Sequence, residues 1–223
     1  MKVEEKGKDI INRIKQAAAR SGRTPDEINV VAVTKYVSNE RAQEAVEAGF
    51  NHLGENRFEG LTEKQASLSG SVKWHFIGSL QSRKVKDVIN RIDYLHSLDR
   101  LSLAKEINKR AHKTVECFVQ VNVSGEVQKH GLAPQNVLNF IEQLSIYDKI
   151  KVVGLMTMAP DTEDEQVLRK CFKDLSRLKD EIHRHRYQNA PCTELSMGMS
   201  NDYEIAIEEG ATFVRIGSAL VGE

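Results

Sequence analysis

Apolar positions along the chain alternate between two spacings. Ile10, Ile11, Ile14, Ala17 and Ala18 recur three and four residues apart, which predicts an amphipathic helix over 6–20, stopped by Ser21-Gly22. Thr24-Pro25-Asp26 turns the chain into Asn29-Val30-Val31-Ala32-Val33-Thr34-Lys35-Tyr36. Its run of small and β-branched apolar residues is too short for a helix and reads as a strand buried on both faces, with Lys35 at its carboxyl end. Ser38 caps a second helix whose apolar face is Ala42, Ala45, Val46 and Ala48, and Gly49 ends it. Strands over 50–56 and 72–78 follow, with a helical stretch between them. Residues 84–90 read as helix, 94–98 as strand, 99–112 as helix and 115–122 as strand. Residues 124–132 read as loop, and Pro134 opens a helix at a position where its missing N–H does no harm. Strands over 152–158, 193–197 and 212–216 alternate with a long charged helix over 163–186 and a short one over 203–209.

Strict alternation of strand and helix implies right-handed crossovers and a parallel sheet. Eight strands predict a chain of α/β class, a single (β/α)8 TIM barrel with an extra N-terminal helix. A doubly wound open sheet is the structural alternative. No composition break or Pro/Ser-rich linker divides the 223 residues, so one domain over 1–223 is expected.

Composition narrows the function classes. Lysine plus arginine and aspartate plus glutamate balance at 32 each, so nothing demands nucleic acid or an anionic membrane as partner. The charged start, Met1-Lys2-Val3-Glu4-Glu5-Lys6, is no secretory signal, and no stretch approaches the roughly 18 apolar residues of a membrane span. Cys117, Cys171 and Cys192 lack CxxC spacing and read as reduced thiols, so a cytoplasmic protein without a zinc or redox motif is expected.

Chemistry in such barrels sits at the carboxyl ends of the strands. A lysine half-desolvated there can react as a free amine with an aldehyde; the plain alternative is a solvated lysine ending a strand. The segments after strands seven and eight, Ser196-Met197-Gly198-Met199-Ser200-Asn201-Asp202 and Arg215-Ile216-Gly217-Ser218-Ala219-Leu220, carry glycine and serine where barrels commonly bind a phosphate. A lysine beside a phosphate pocket fits an aldolase acting on a phosphorylated sugar, or pyridoxal 5′-phosphate (PLP), which carries both an aldehyde and a phosphate. Arg215, two residues before Gly217, could reach the pyridine nitrogen without giving it a full proton. A buried arginine paired with a carboxylate explains the same spacing.

Taken with Leu53-Gly54-Glu55-Asn56, Trp74-His75-Phe76-Ile77-Gly78-Ser79-Leu80-Gln81, Val119-Gln120-Val121-Asn122 and Gly154-Leu155-Met156-Thr157-Met158, these segments resemble the pyridoxal phosphate homeostasis proteins, a family related to the barrel domain of bacterial alanine racemase. The resemblance runs through nearly the whole chain in order. It implies a PLP-binding barrel in which Lys35 holds the cofactor as a Schiff base, Ser200 and the Gly217-Ser218 turn meet the phosphate, Arg215 lies near the ring nitrogen, and Asn56, Met156 and Met199 line the pocket. It also implies intracellular PLP homeostasis, with PLP-dependent enzymes as recipients and no established turnover; a monomer is expected. Two positions depart from the family pattern: Arg83 stands where an asparagine is usual, and Arg57 where an aromatic residue often follows Gly-Glu-Asn.

A PLP-dependent amino-acid racemase or related enzyme is the alternative. Racemisation by two bases needs an acid-base group on each face of the cofactor. In the racemases the second base is a tyrosine from an additional β-domain, which this sequence, reaching only Glu223, is not expected to carry. Tyr36 is expected to point away from Lys35 if the strand is regular. A cofactor-free lysine aldolase is the third reading. His183-Arg184-His185-Arg186 reads as a solvated helix end, Cys117 as core, and His75 as packing or rim hydrogen bonding.

Overall fold

The computed structural model describes residues 2–222. Eight parallel strands close into a barrel in sequence order: β1 (Asn29–Val33), β2 (His52–Glu55), β3 (Lys73–Phe76), β4 (Tyr94–Leu98), β5 (Val115–Gln120), β6 (Ile150–Met156), β7 (Glu194–Ser196) and β8 (Phe213–Ile216). The helices are α1 (Val3–Arg20), α2 (Asn39–Glu47), α3 (Phe58–Ser67), α4 (Val85–Val88), α5 (Leu101–Arg110), α6 (Pro134–Gln143), α7 (Glu165–Arg184), α8 (Tyr203–Glu208) and α9 (Ser218–Val221). The barrel is the expected one, and β8 closes it by pairing Val30 with Val214 and Val31 with Arg215 on β1.

The ring of helices needs α1. The helix after β8 is the single turn α9, too short to cover the sheet there. α1 packs against α8, α2 and α9 and fills that gap with Ile10, Ile14, Ala17 and Ala18 inward. Arg13, Arg20 and Arg169 meet Glu204 and Glu208 across α1, α7 and α8, at 2.5–3.2 Å. These pairs lie at the surface with their carboxylates partly buried, and each contributes modestly. The extra N-terminal helix is thus the eighth member of the outer ring.

Period-two alternation divides each strand between two interiors. Ala32, Leu53, Trp74, Leu95, Cys117, Val152, Leu195 and Val214 face the helices in one large apolar layer. Val31, Phe118, Val153, Met156 and Phe213 form a separate cluster in the barrel lumen. That lumen is more aromatic and polar than the branched aliphatic layers usual in such barrels. His75 stacks on Tyr94 and His96 on Phe118, each at 4.5 Å between centroids.

Several expected boundaries move. β1 stops at Val33, because the chain turns over Thr34–Val37 and Tyr36 takes φ 68°. β5 stops at Gln120. β6 runs over Ile150–Met156, two residues earlier than expected at both ends, because pairing with β5 begins at Val115 opposite Ile150 and Glu116 opposite Lys151. The stretch 84–90 is one α turn between two 3-10 turns rather than a continuous helix. Ser38 accepts from the Arg41 N–H, as its capping role requires. All three cysteines are free and buried, and burial pushes the thiols of Cys171 and Cys192 up to about 11 and about 12. Among the described residues no helix is long and apolar enough to cross a membrane.

Candidate functional site

The upper mouth of the barrel, at the carboxyl ends of the strands, opens into a cavity of about 560 Å³. Lys35, Asn56, Met156, Met199, Ser200, Arg215, Gly217 and Ser218 all line it. These residues come from the ends of β1, β2, β6, β7 and β8, so closing the barrel brings together positions up to 183 apart in sequence (Lys35 to Ser218).

Two features on the Lys35 side differ from expectation. Lys35 is exposed rather than half-desolvated: β1 ends at Val33, two residues before it, and Lys35 lies in the turn that follows. Tyr36 does not point away. The left-handed turn at φ 68°, strained for a bulky residue, brings its ring within 5.8 Å of Lys35 Nζ. The Tyr36 hydroxyl accepts from Asn56 Nδ2 at 3.1 Å, and the Arg57 guanidinium lies 5.4 Å from the ring centroid. The Asn56 hydrogen bond, reinforced by Arg57, holds the Tyr36 phenol below its ordinary pKa. Arg57 therefore packs on the Tyr36 ring, while Arg83 reaches Gln81, at 2.8 Å.

Beneath this turn lies a buried ionic group. Thr34 Oγ1 donates to Glu55 Oε1 at 2.6 Å, and Lys64 Nζ on α3 lies 3.2 Å from the same oxygen. Both charged side chains are almost wholly buried. The pair ties the residue preceding Lys35 to β2 and α3.

On the opposite wall, the loops after β7 and β8 are joined by Ser200. Its hydroxyl oxygen accepts from the amides of Gly217 and Ala219, both at 3.3 Å. Gly198 turns the first loop at φ 92°, and a Cβ there would lie 2.6 Å from Ala206 Cβ, so only glycine fits. Met199 N donates to Asp202 Oδ1 at 2.5 Å; burial raises the Asp202 pKa, opposed by that hydrogen bond and by Arg215.

Arg215 rises from β8 into the cavity floor and is 5% exposed. Nη1 donates to Ser196 Oγ at 2.6 Å and Nη2 to the Thr157 carbonyl at 2.9 Å. No carboxylate lies within ion-pair distance of it among the described residues; Asp202 acts on it only at longer range, so the paired-arginine reading does not hold. Burial pushes its pKa down to about 10, partly offset by Asp202, and it stays a cation at neutral pH.

The sequence reading missed the side wall formed by Ala159-Pro160-Asp161-Thr162 after β6, and Ile77-Gly78 after β3, whereas Met158 lines the cavity as its place in a strand-end methionine cluster suggests. Their place just beyond strand ends was the available signal. It also left out the polar contacts below Arg215, where Ser196 meets His96 Nδ1 at 2.8 Å. His75 sits in the lumen, bonded on both sides to histidines, not at the rim. No cluster of three or more metal-ligating side chains occurs among the described residues.

A primary amine, a buried guanidinium donor and a hydroxyl-bridged pair of loop amides surround one cavity at the top of an eight-stranded barrel. The family described as "Alanine racemase, N-terminal domain" matches residues 8–223, so the chain is a barrel of the alanine-racemase type. Within that class the chain belongs to the pyridoxal phosphate homeostasis protein family. It is 40% identical to the Aquifex aeolicus (strain VF5) member over 218 residues, covering 96% of this chain and 95% of that one. It is 35% identical to the Homo sapiens member over 227 residues, with 95% and 82% coverage. Among solved structures, PipY of Synechococcus elongatus PCC7942 with PLP bound superposes with a TM-score of 0.81 at 29% identity, covering 94% of this chain and all of PipY. Alanine racemase of Clostridium difficile 630 shares the fold at TM-score 0.77 and 15% identity, with 56% of its length covered.

Proposed function

We propose that this protein binds PLP in the upper cavity and serves intracellular PLP homeostasis, holding the cofactor and passing it to PLP-dependent enzymes. The carrying observation is that the amine, the guanidinium and the serine–amide cluster line one cavity, in a family whose member PipY binds PLP. The donor set fits the cofactor group by group. Lys35 would hold the aldehyde covalently through Nζ; Ser200, Gly217 and Ser218 would meet the phosphate; Arg215 would face the ring nitrogen; and Asn56, Met156 and Met199 would line the ring. Bound PLP supplies an aldehyde for amines and a ring that takes up electrons.

The chain's own residues argue for holding over turnover. Arg215 donates a hydrogen bond but keeps its proton, so the ring nitrogen stays a weak electron acceptor. Lys35 is exposed, which lets water and incoming amines reach the link. Tyr36 lies beside Lys35 and does not line the cavity, so it is no candidate for a base on the opposite face. A monomeric carrier is part of the same proposal.

The test is the visible spectrum of purified protein with added PLP, followed by borohydride reduction and peptide mass analysis. Wild type should turn yellow and carry the reduced adduct on Lys35, and Lys35→Ala should remain colourless. A colourless wild type, or an adduct on another lysine, overturns the assignment.

A further inference from the structure

A continuous hydrogen-bonded column crosses the barrel lumen below Arg215. Ser196 Oγ meets His96 Nδ1 at 2.8 Å, His96 Nε2 meets His75 Nδ1 at 2.8 Å, and His75 Nε2 meets His52 Nδ1 at 2.9 Å. His52, at the first position of β2, lines a second cavity of about 460 Å³ at the lower mouth. The column therefore joins the two ends of the barrel, and nothing in the proposed cofactor binding uses it.

Donor and acceptor bookkeeping gives the column a direction. Arg215 Nη1 can only donate, so Ser196 Oγ must accept from it. The Ser196 hydroxyl hydrogen then has one place to go, His96 Nδ1, because its oxygen has no third partner among the described residues. With Nδ1 accepting, neutral His96 carries its proton on Nε2 and donates to His75 Nδ1. His75 in turn carries its proton on Nε2 and donates to His52 Nδ1. His52 is left with Nε2–H toward the lower cavity and no free lone pair. A proton could be added at His52 only by reversing every bond, which would leave the Ser196 hydroxyl hydrogen buried without an acceptor and so lower the proton affinity of His52.

We propose that Arg215 fixes the polarity of the Ser196–His96–His75–His52 column. In return, the column acts as a set of positioning residues that hold the Arg215 guanidinium still at the cavity floor. The coupling is reciprocal: whatever Arg215 does to protonation at His52, protonation at His52 does to Arg215. Burial supports neutral histidines, driving His75 and His96 well below the ordinary imidazole range. The charged and titratable groups facing the His52 end are Lys73, Asp93, Tyr94, Glu116, Lys151 and Glu194, of which Lys73 disfavours and Asp93 favours a proton on His52.

The placing of Arg215 against the ring nitrogen rests on the PLP reading; the polarity does not. It is tested on the cofactor-free protein by two-bond proton–nitrogen correlation NMR of the histidine rings. At pH 7, His52, His75 and His96 should each show protonated Nε2 and bare Nδ1, and His75 and His96 should keep that pattern to pH 5.5. An Nδ1–H tautomer or a mixed pattern at any of the three overturns the proposal without any variant. Arg215→Met should free the column and raise the proton affinity of His52 by roughly 5- to 150-fold, whereas Arg215→Lys, still an obligate donor, should leave it near wild type. An unchanged His52 in folded Arg215→Met, or an equal rise in both, also overturns it. In PLP-loaded protein, His96→Leu should shift the visible band and weaken PLP retention several-fold; an unaltered band and retention remove the positioning role. Failure of wild type to take up PLP with the tautomers intact would instead count against the cofactor reading.

Discussion

Lys64 offers the sharpest test of how the Lys35 turn is built. Replacing it with methionine keeps the length of the buried stem on α3 and removes the charge facing Glu55. The Glu55 carboxylate would then be left buried with Thr34 Oγ1, at 2.6 Å, as its remaining hydrogen-bond donor. Breaking one partner of a buried pair costs about 3–5 kcal/mol, because the surviving charge keeps its desolvation penalty and loses its attraction. In a domain of this size each kcal/mol lowers Tm by about 2–4 °C, so Lys64→Met should melt roughly 6–20 °C below wild type. Urea unfolding should give a matching loss with an unchanged m-value. The double variant Lys64→Met/Glu55→Gln should recover much of it, since no net charge is then buried. Because Thr34 precedes Lys35, the single variant should also take up PLP more weakly than the double. A loss below about 1 kcal/mol in Lys64→Met, the range of a solvent-screened pair, would refute the claim that this group is a buried ionic clamp under the turn.

Two further outcomes follow from the same geometry. Gly198→Ala should destabilise the protein by about 2–5 kcal/mol in urea melts, summing the cost of a left-handed alanine and of a Cβ 2.6 Å from Ala206 Cβ, and should reduce PLP uptake through the displaced Met199-Ser200 loop. The buried histidines set an acid dependence. Their folded pKa values are lowered, so below about pH 6.5 the unfolded chain binds the protons that the folded chain refuses, and stability falls as pH falls. His75 and His96 should each contribute a slope approaching about 1.4 kcal/mol per pH unit between pH 6.5 and 5. Urea melts across that window that show flat stability would mean that the rings are protonated in the folded state.

The two-spacing pattern of apolar residues determined the class of fold. Runs such as Val30–Val33 must be buried on both faces, and helices carrying one apolar stripe must cover them, so eight repeats leave few topologies. The candidate site was legible in its placement for the related reason that chemistry in such barrels collects at strand ends, and Lys35, Asn56, Ser200, Arg215 and Gly217 all line the cavity there. What the chain order could not disclose was anything fixed by contacts between distant strands. Tyr36 turns back toward Lys35 because of one left-handed residue and a hydrogen bond from Asn56. The helix at the start of the chain becomes the eighth of the ring because α9 is too short. His52, His75 and His96 look like unrelated residues in sequence; only barrel closure lines them up, since strand pairing and stagger decide which inward-facing side chains meet in the lumen.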